Sequence, residues 1–330
     1  MARSIRVAIS GAGGQIGYAL VFRIAAGAMF GSDQSVTLSL LESSDQLALI
    51  DAMQMELKDC AFPLLTEVRS SADPRRAFED AQWVVLLAGR PQTHGEPREN
   101  LLRDNAPIFV NHGRAINGVA PDARILTVAN PCNTNCLIAK SHAQDVPAEH
   151  WYALMQLDRM RAKALIAEKA KVAVSEVTRV TVWGNHSETV YPDFHNSWIG
   201  DRPAPEIITD HDWVRNVFEP TVAGRSTEII KLRGASPAAS AAQAVIDSIR
   251  SFTVPTPHQR HFSAAVVSDG SYGVPRGLIF GFPLRTEDGV NWSIVPGLYL
   301  DAYAQRRLSE NVAELEHEAA AVTNLLGNVR

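Results

Sequence analysis

Cysteine is scarce in this chain: Cys60, Cys132 and Cys136 are the whole complement in 330 residues. An odd number at wide spacing excludes a disulfide framework. Cys132 and Cys136 fall four apart, but no histidine or acid beside them completes a metal ligand set, so no metal is expected. Long apolar runs are missing as well. No stretch approaches the ~20 apolar residues of a membrane-spanning helix, and the first residues lead into a strand-like segment without a signal-peptide core. Positive charge is not in surplus: 31 Lys+Arg against 36 Asp+Glu leave a net charge of -5. No global cationic field therefore invites nucleic acid or an anionic membrane. Internal repeats and low-complexity segments are absent too. What these absences leave is the expectation of a soluble, cytoplasmic globular protein.

What is present is ordinary globular composition, 46% hydrophobic and 20% charged, in a chain long enough for two core-bearing lobes. Short apolar runs at 5–10, 36–41, 67–70, 83–88 and 124–128 read as strands. Several lack polar alternation, the pattern of strands buried on both faces of a parallel sheet. Amphipathic helical patterns at 15–28, 45–59, 73–80 and 98–117 separate them. Repeated strand–helix–strand order predicts right-handed crossovers in an α/β, doubly wound parallel sheet. Beyond about residue 150 the pattern changes to long helices (157–171, 209–233, 238–251, 301–327) with strand clusters near 178–191 and 260–296. The expected organisation is a nucleotide-binding domain over 1–153 and a second α/β domain over 154–330.

Gly11-Ala-Gly-Gly14-Gln15-Ile16-Gly17 follows the first strand and opens the first helix. Glycines there permit a tight turn and close backbone approach to a pyrophosphate, which the helix N-terminus attracts. The spacing is G-x-x-G-x-x-G, so the turn alone is a weak Rossmann signal and fits a ligand-free turn as well. Glu42 strengthens it. An acid ending the second strand can accept both adenosine ribose hydroxyls, and its charge repels a 2′-phosphate. No Lys or Arg follows within several residues. The cofactor expected is NAD.

Hydride transfer to a carbonyl needs a proton donor at the forming alkoxide, and histidine titrates near neutrality. His186 follows the apolar run 180–183 in Trp-Gly-Asn-His-Ser; a structural histidine at a strand end is the competing reading. In Leu157-Asp158-Arg159-Met160-Arg161, residues three apart share a helix face. Asp158 can orient the imidazole, and Arg161 offers a planar fork for a C1 carboxylate. A surface ion pair has the same spacing. Asn130 ends the strand at 124–128, at the sheet edge where α/β folds bind ligands, and its amide can donate to the substrate oxygen.

With these residues assembled, the chain resembles the malate dehydrogenase branch of the lactate/malate dehydrogenase family, closest to the cytosolic-type enzymes. The segments FGSDQ, MELKDCAFPLL, VANPCNTNC, LDRMRAKA, WGNHS and SDGSYGVP carry the likeness along nearly the whole chain. It implies His186 as acid/base, Asp158 as its partner carboxylate and Arg161 as carboxylate binder. Asn130 becomes a substrate ligand and Ser240 a pocket residue. An L-hydroxy acid substrate, a mobile loop over the site and a homodimer are further implications. The cofactor-binding candidates are Gly11, Gly14, Gln15, Ile16, Gly17, Glu42, Gly89, Asn105 and Asn130.

One loop departs from the malate pattern. Malate enzymes resembling this chain carry two arginines six residues apart after the fourth strand. The second is Arg98, implied to polarise the carbonyl. The first, implied to clamp the distal carboxylate, is replaced by Gln92. A neutral amide cannot balance a carboxylate in a water-poor site, a deficit of several kcal/mol and roughly two to four orders of magnitude in preference. Arg90 and His94 are alternative sources of positive charge. Three readings stay open: a specialised 2-oxo acid reductase, an ordinary malate dehydrogenase, and a lactate-like enzyme. A non-catalytic NAD-binding module is disfavoured, because no member of the catalytic set is missing.

Overall fold

The computed structural model describes residues 4–91, 96 and 98–327. Compactness divides the chain into two units. One holds the residues up to Ala153, Pro237–Arg250 and those from Glu318 onward; the other holds Leu154–Ser236 and Ser251–His317.

The first unit is built on six parallel strands: β1 (Ile5–Ser10), β2 (Val36–Leu41), β3 (Leu65–Ser71), β4 (Trp83–Leu86), β5 (Arg124–Thr127) and β6 (Trp151–Ala153). Their order is β6-β5-β4-β1-β2-β3, with every neighbouring pair parallel. The connecting helices are α1 (Gln15–Ala25), α2 (Leu47–Asp59), α3 (Pro74–Phe78), α4 (Arg98–Val119) and α5 (Cys132–Ser141). The order reverses direction at β1. Since each crossover is right-handed, the helices serving the two halves cover opposite faces. This explains why β2 and β4 are buried along their whole length, whereas the edge strand β3 exposes much of its surface. Ser10 pairs with Leu41 and Leu86, and Leu86 with Thr127. The carboxyl ends of β1, β2, β4 and β5 are therefore level. α5 and β6 lie where the sequence pattern suggested no element.

The second unit opens with α6 (Gln156–Ala170) and continues through the short strands β7 (Val177–Thr178), β8 (Thr181–Trp183), β9 (Tyr191–Asp193), β10 (Trp198–Ile199) and β11 (Arg202–Pro203). The helical turns α7 (Ala204–Ile207) and α8 (His211–Trp213) lead into a π-helical segment, Val214–Phe218, and then α9 (Glu219–Arg233). Pro220 in the first turn of α9 has no N–H to give the preceding turn, which widens there. α10 (Ala239–Thr253) begins in the first unit. β12 (Phe262–Val267), β13 (Ile279–Thr286) and β14 (Trp292–Ile294) then form an antiparallel meander. Most of α11 (Ala302–Ala321) belongs to this unit, and its last residues to the first. Ala162 and Ile166 of α6 pack with Val177, Phe194, Phe218 and Val222 into one buried cluster. That packing fixes the face that α6 turns inward, including its first turn.

Candidate active site

In the first unit, α1 begins at Gly14 with no side-chain cap and no acid in its first turn. A Cβ on Gly17 would sit 2.3 Å from the Ala12 carbonyl oxygen, so the helix can approach the turn only because the side chain is missing. Glu42 leaves β2 and folds back over this turn. Its Oε2 accepts from Gly13 N–H and its Oε1 from Ser43 N–H, both at 3.0 Å. Gly89 follows β4, where a Cβ would meet Ala129 Cβ and Asn105 Nδ2 at 3.2 Å. Asn105, buried on α4, accepts from Arg90 N–H (2.7 Å) and donates to the carbonyls of Arg90 (3.2 Å) and Asn130 (2.9 Å). Its amide is spent on tying the loop after β4 to the end of β5. The buried Oδ1 of Asn130 has no hydrogen-bond partner among the described residues.

Glycine turn, Glu42, Gly89 and Asn130 all follow strands whose carboxyl ends are level, so they share one edge of the sheet. An uncapped helix N-terminus, a cradle without side chains and an acid beside it fit a dinucleotide.

Arg98 is the first residue of α4. Its Nε donates to Glu318 Oε1 at 2.6 Å, and its buried Nη2 has no partner among the described residues. Thr134 of α5 donates to the other oxygen of Glu318. Arg90 is held by Glu96 and Asp104, so its charge is already balanced. Gln92 and His94 lie outside the described residues. Ser240 is exposed in the first turn of α10. Cys132 and Cys136 are both buried, and burial pushes the Cys136 thiol up to about 12.

In the second unit, α6 and the loop after β8 bring three candidates together. Asp158 Oδ2 bonds His186 Nδ1, and its Oδ1 accepts from Arg161 Nη1 at 3.1 Å. The side chains of Asp158, Arg161 and His186 are 2%, 10% and 11% exposed. That burial decides against the surface ion pair. Arg161 Nη1 also donates to the Val222 carbonyl (3.4 Å), and Nη2 to Ser226 Oγ (2.6 Å). Three of the guanidinium's N–H groups are thus engaged, leaving two for a ligand among the described residues. Burial first, then the neighbouring Arg225 charge, lowers the Arg161 pKa, while Asp158 opposes both. The group stays a cation, since guanidinium does not deprotonate in proteins.

Ser226 and Val222 were not read from the sequence. They reach Arg161 across 65 and 61 residues, and only the packing of α9 on α6 reveals them. The same holds for Asn311 and Glu314 of α11, which bond the residues flanking His186.

Residues 5–150 match the family model described as the lactate/malate dehydrogenase NAD binding domain, and residues 155–326 the lactate/malate dehydrogenase alpha/beta C-terminal domain. The chain belongs to the lactate/malate dehydrogenase family. It is 46% identical to a malate dehydrogenase of Magnetococcus marinus over 326 residues, 99% of each chain. Among solved structures, a malate dehydrogenase from Naegleria fowleri superposes with a TM-score of 0.94 at 37% identity, over 99% of this chain and all of that one. A lactate dehydrogenase from Trichomonas vaginalis, in complex with NADH and oxamate, gives 0.93 at 32% identity, over 98% and 99%. This dehydrogenase is therefore an NAD-dependent oxidoreductase of 2-hydroxy acids. No helix among its described residues is long and apolar enough to cross a membrane.

Proposed function

We propose that this dehydrogenase interconverts a 2-oxo acid and its L-2-hydroxy acid with His186 as acid/base, and that its preferred substrate is not oxaloacetate. The observation that carries the catalytic assignment is Asp158, one buried carboxylate shared by His186 and Arg161. With Nδ1 on Asp158, the imidazole presents Nε2 to the substrate oxygen. It donates a proton there during reduction and takes it back during oxidation. Asp158 fixes the tautomer and stabilises the imidazolium. Arg161 binds the C1 carboxylate through its two uncommitted N–H groups. The family resemblance assigns Asn130 to the substrate oxygen, Arg98 to its polarisation and Ser240 to the pocket. The glycine turn (Gly11, Gly14, Gln15, Ile16, Gly17), Glu42, Gly89 and Asn130 hold NAD, which supplies or accepts the hydride when bound, and Asn105 supports that site by tying the loop after β4 to Asn130.

The proposed domains are 1–153 for NAD and 154–330 for substrate. A homodimer working in the cytoplasm completes the reading. Sedimentation velocity reads the oligomeric state directly.

Specificity rests on the loop. Gln92 stands where the resemblance calls for an arginine, and Arg90 is already neutralised by Glu96 and Asp104. This supports a substrate whose C3 substituent is not a plain carboxylate. The competing reading, an ordinary malate dehydrogenase, is favoured by the 46% identity to one. Initial rates with NADH on oxaloacetate, pyruvate and pyruvates bearing bulky, phosphono or sulfo C3 groups separate the two. The expected result is a higher kcat/KM on a substrate other than oxaloacetate. Oxaloacetate preferred a hundredfold or more overturns it. Gln92→Arg raises oxaloacetate reduction relative to the rest; an unchanged ratio means that Gln92 does not face the substrate.

A further inference from the structure

Within the second unit, α11 supplies none of the groups assigned to chemistry or binding, yet two of its side chains grip the loop that carries His186. Asn311, fully buried, places Oδ1 where it accepts from Asn185 N–H at 2.8 Å and from the Thr189 hydroxyl at 3.1 Å. Its Nδ2 donates to the Thr189 carbonyl at 2.6 Å and to the Arg307 carbonyl of its own helix at 2.9 Å. One turn on, Glu314 Oε2 accepts from Asn185 Nδ2 (2.9 Å), Ser187 Oγ (2.5 Å) and Thr189 Oγ1 (2.6 Å). The residues immediately before and after His186 are thus both tied to one helix.

The contact is also steric. Gly184 has φ +94°, and a Cβ there would lie 2.0 Å from Asn311 Oδ1. The amide occupies the volume that any side chain at 184 would need. The Gly184 backbone pairs with Gly281 of β13 in both directions, at 3.2 and 2.8 Å. His186 is therefore fixed from two sides. Its ring is held by Asp158 of α6, and its backbone is held by α11.

We propose that Asn311 and Glu314 are positioning residues for His186, setting the place of the imidazole without touching substrate or cofactor. The inference rests on the reading of His186 as the acid/base. A proton donor works only in near-attack geometry, and a displacement of about 1 Å costs on the order of a hundredfold. The polar contacts of these two side chains onto residues 185–189 keep the loop within that tolerance. Arg161 is held by Asp158, Val222 and Ser226 instead, so ground-state binding of the oxo acid is independent of the grip.

The test uses the full-length enzyme with its best oxo acid and NADH. Asn311→Ala and Glu314→Ala lower kcat about 10- to 100-fold. KM for the oxo acid and Kd for NADH stay within about twofold, and the isotope effect with C4-deuterated NADH rises as chemistry becomes limiting. Glu314→Gln, which keeps an acceptor oxygen, recovers most of the loss. The proposal is overturned if both alanine variants keep the parental kcat. It is also overturned if kcat and KM degrade together with no recovery in Glu314→Gln. Should Asn311→Ala fail to fold, the half-buried Glu314 pair decides alone. His186→Ala separates the two layers. If that variant stays active, the assignment of His186 is wrong. If it is inactive while the α11 variants behave like the parent, only the positioning role is lost.

Discussion

Asp158 is one carboxylate doing two jobs. Oδ2 faces His186 and Oδ1 faces Arg161, so it sets both the proton donor and the proposed carboxylate fork. Asparagine has one acceptor and one donor head. It satisfies at most one neighbour and turns an N–H toward the other. For Asp158→Asn, kcat should fall by two to four orders of magnitude as the imidazole loses its tautomer. Leaving Arg161 buried without its partner should cost about 3–5 kcal/mol of stability. Steady-state kinetics and urea unfolding measure the two effects. A change in KM alone would show that Asp158 serves only the clamp. At this scale, the sequence spoke through spacing. Residues 158 and 161 share a face in any helix, and acid, base and cation are recognisable types. It was silent about Ser226, Glu318, Asn311 and Glu314, because their bonds span 65 to 220 residues.

Elements were legible in proportion to their apolar signal. β1 and β2 have the ends their Val/Leu/Ile runs suggest. α5 carries little apolar signal, because Asn133, Thr134 and Asn135 are polar yet buried in the helix. β6 was missed because three residues carry no periodicity. The first crossover makes a sharper demand. Gly17→Ala places a methyl 2.3 Å from the Ala12 carbonyl oxygen and within 2.8 Å of Ala12 Cα, so turn and helix must part. The expected outcome is a loss of about 1–3 kcal/mol together with weaker NADH binding, read by urea midpoint and fluorescence titration. An unaltered midpoint and Kd would mean that α1 retreats freely and that its close approach is not required for the dinucleotide.

At the scale of the whole molecule, each of the two units carries a deeply buried neutral histidine among its described residues. His112 of α4 packs edge-on to Phe78 and Phe109, and burial lowers its pKa from 6.5 to about 4. His261 hydrogen-bonds the Thr181 hydroxyl at 2.7 Å. Burial, then the Arg159 and Arg179 charges, lowers it to about 3. Both folded values lie below that of the unfolded chain, so the unfolded state binds the extra protons. The stabilisation is therefore complete above about pH 6.5 and is lost as pH falls toward 4. Each ring adds a slope of about 1.4 kcal/mol per pH unit in that window, and the two add if both units unfold in one transition. Urea midpoints between pH 7.5 and 4.5 should fall accordingly, and His112→Leu should remove one proton's worth of the slope. Two separated transitions, with only one altered by His112→Leu, would show that the units melt independently. An unchanged slope would mean that the His112 ring is already protonated in the folded state, contrary to its apolar surroundings.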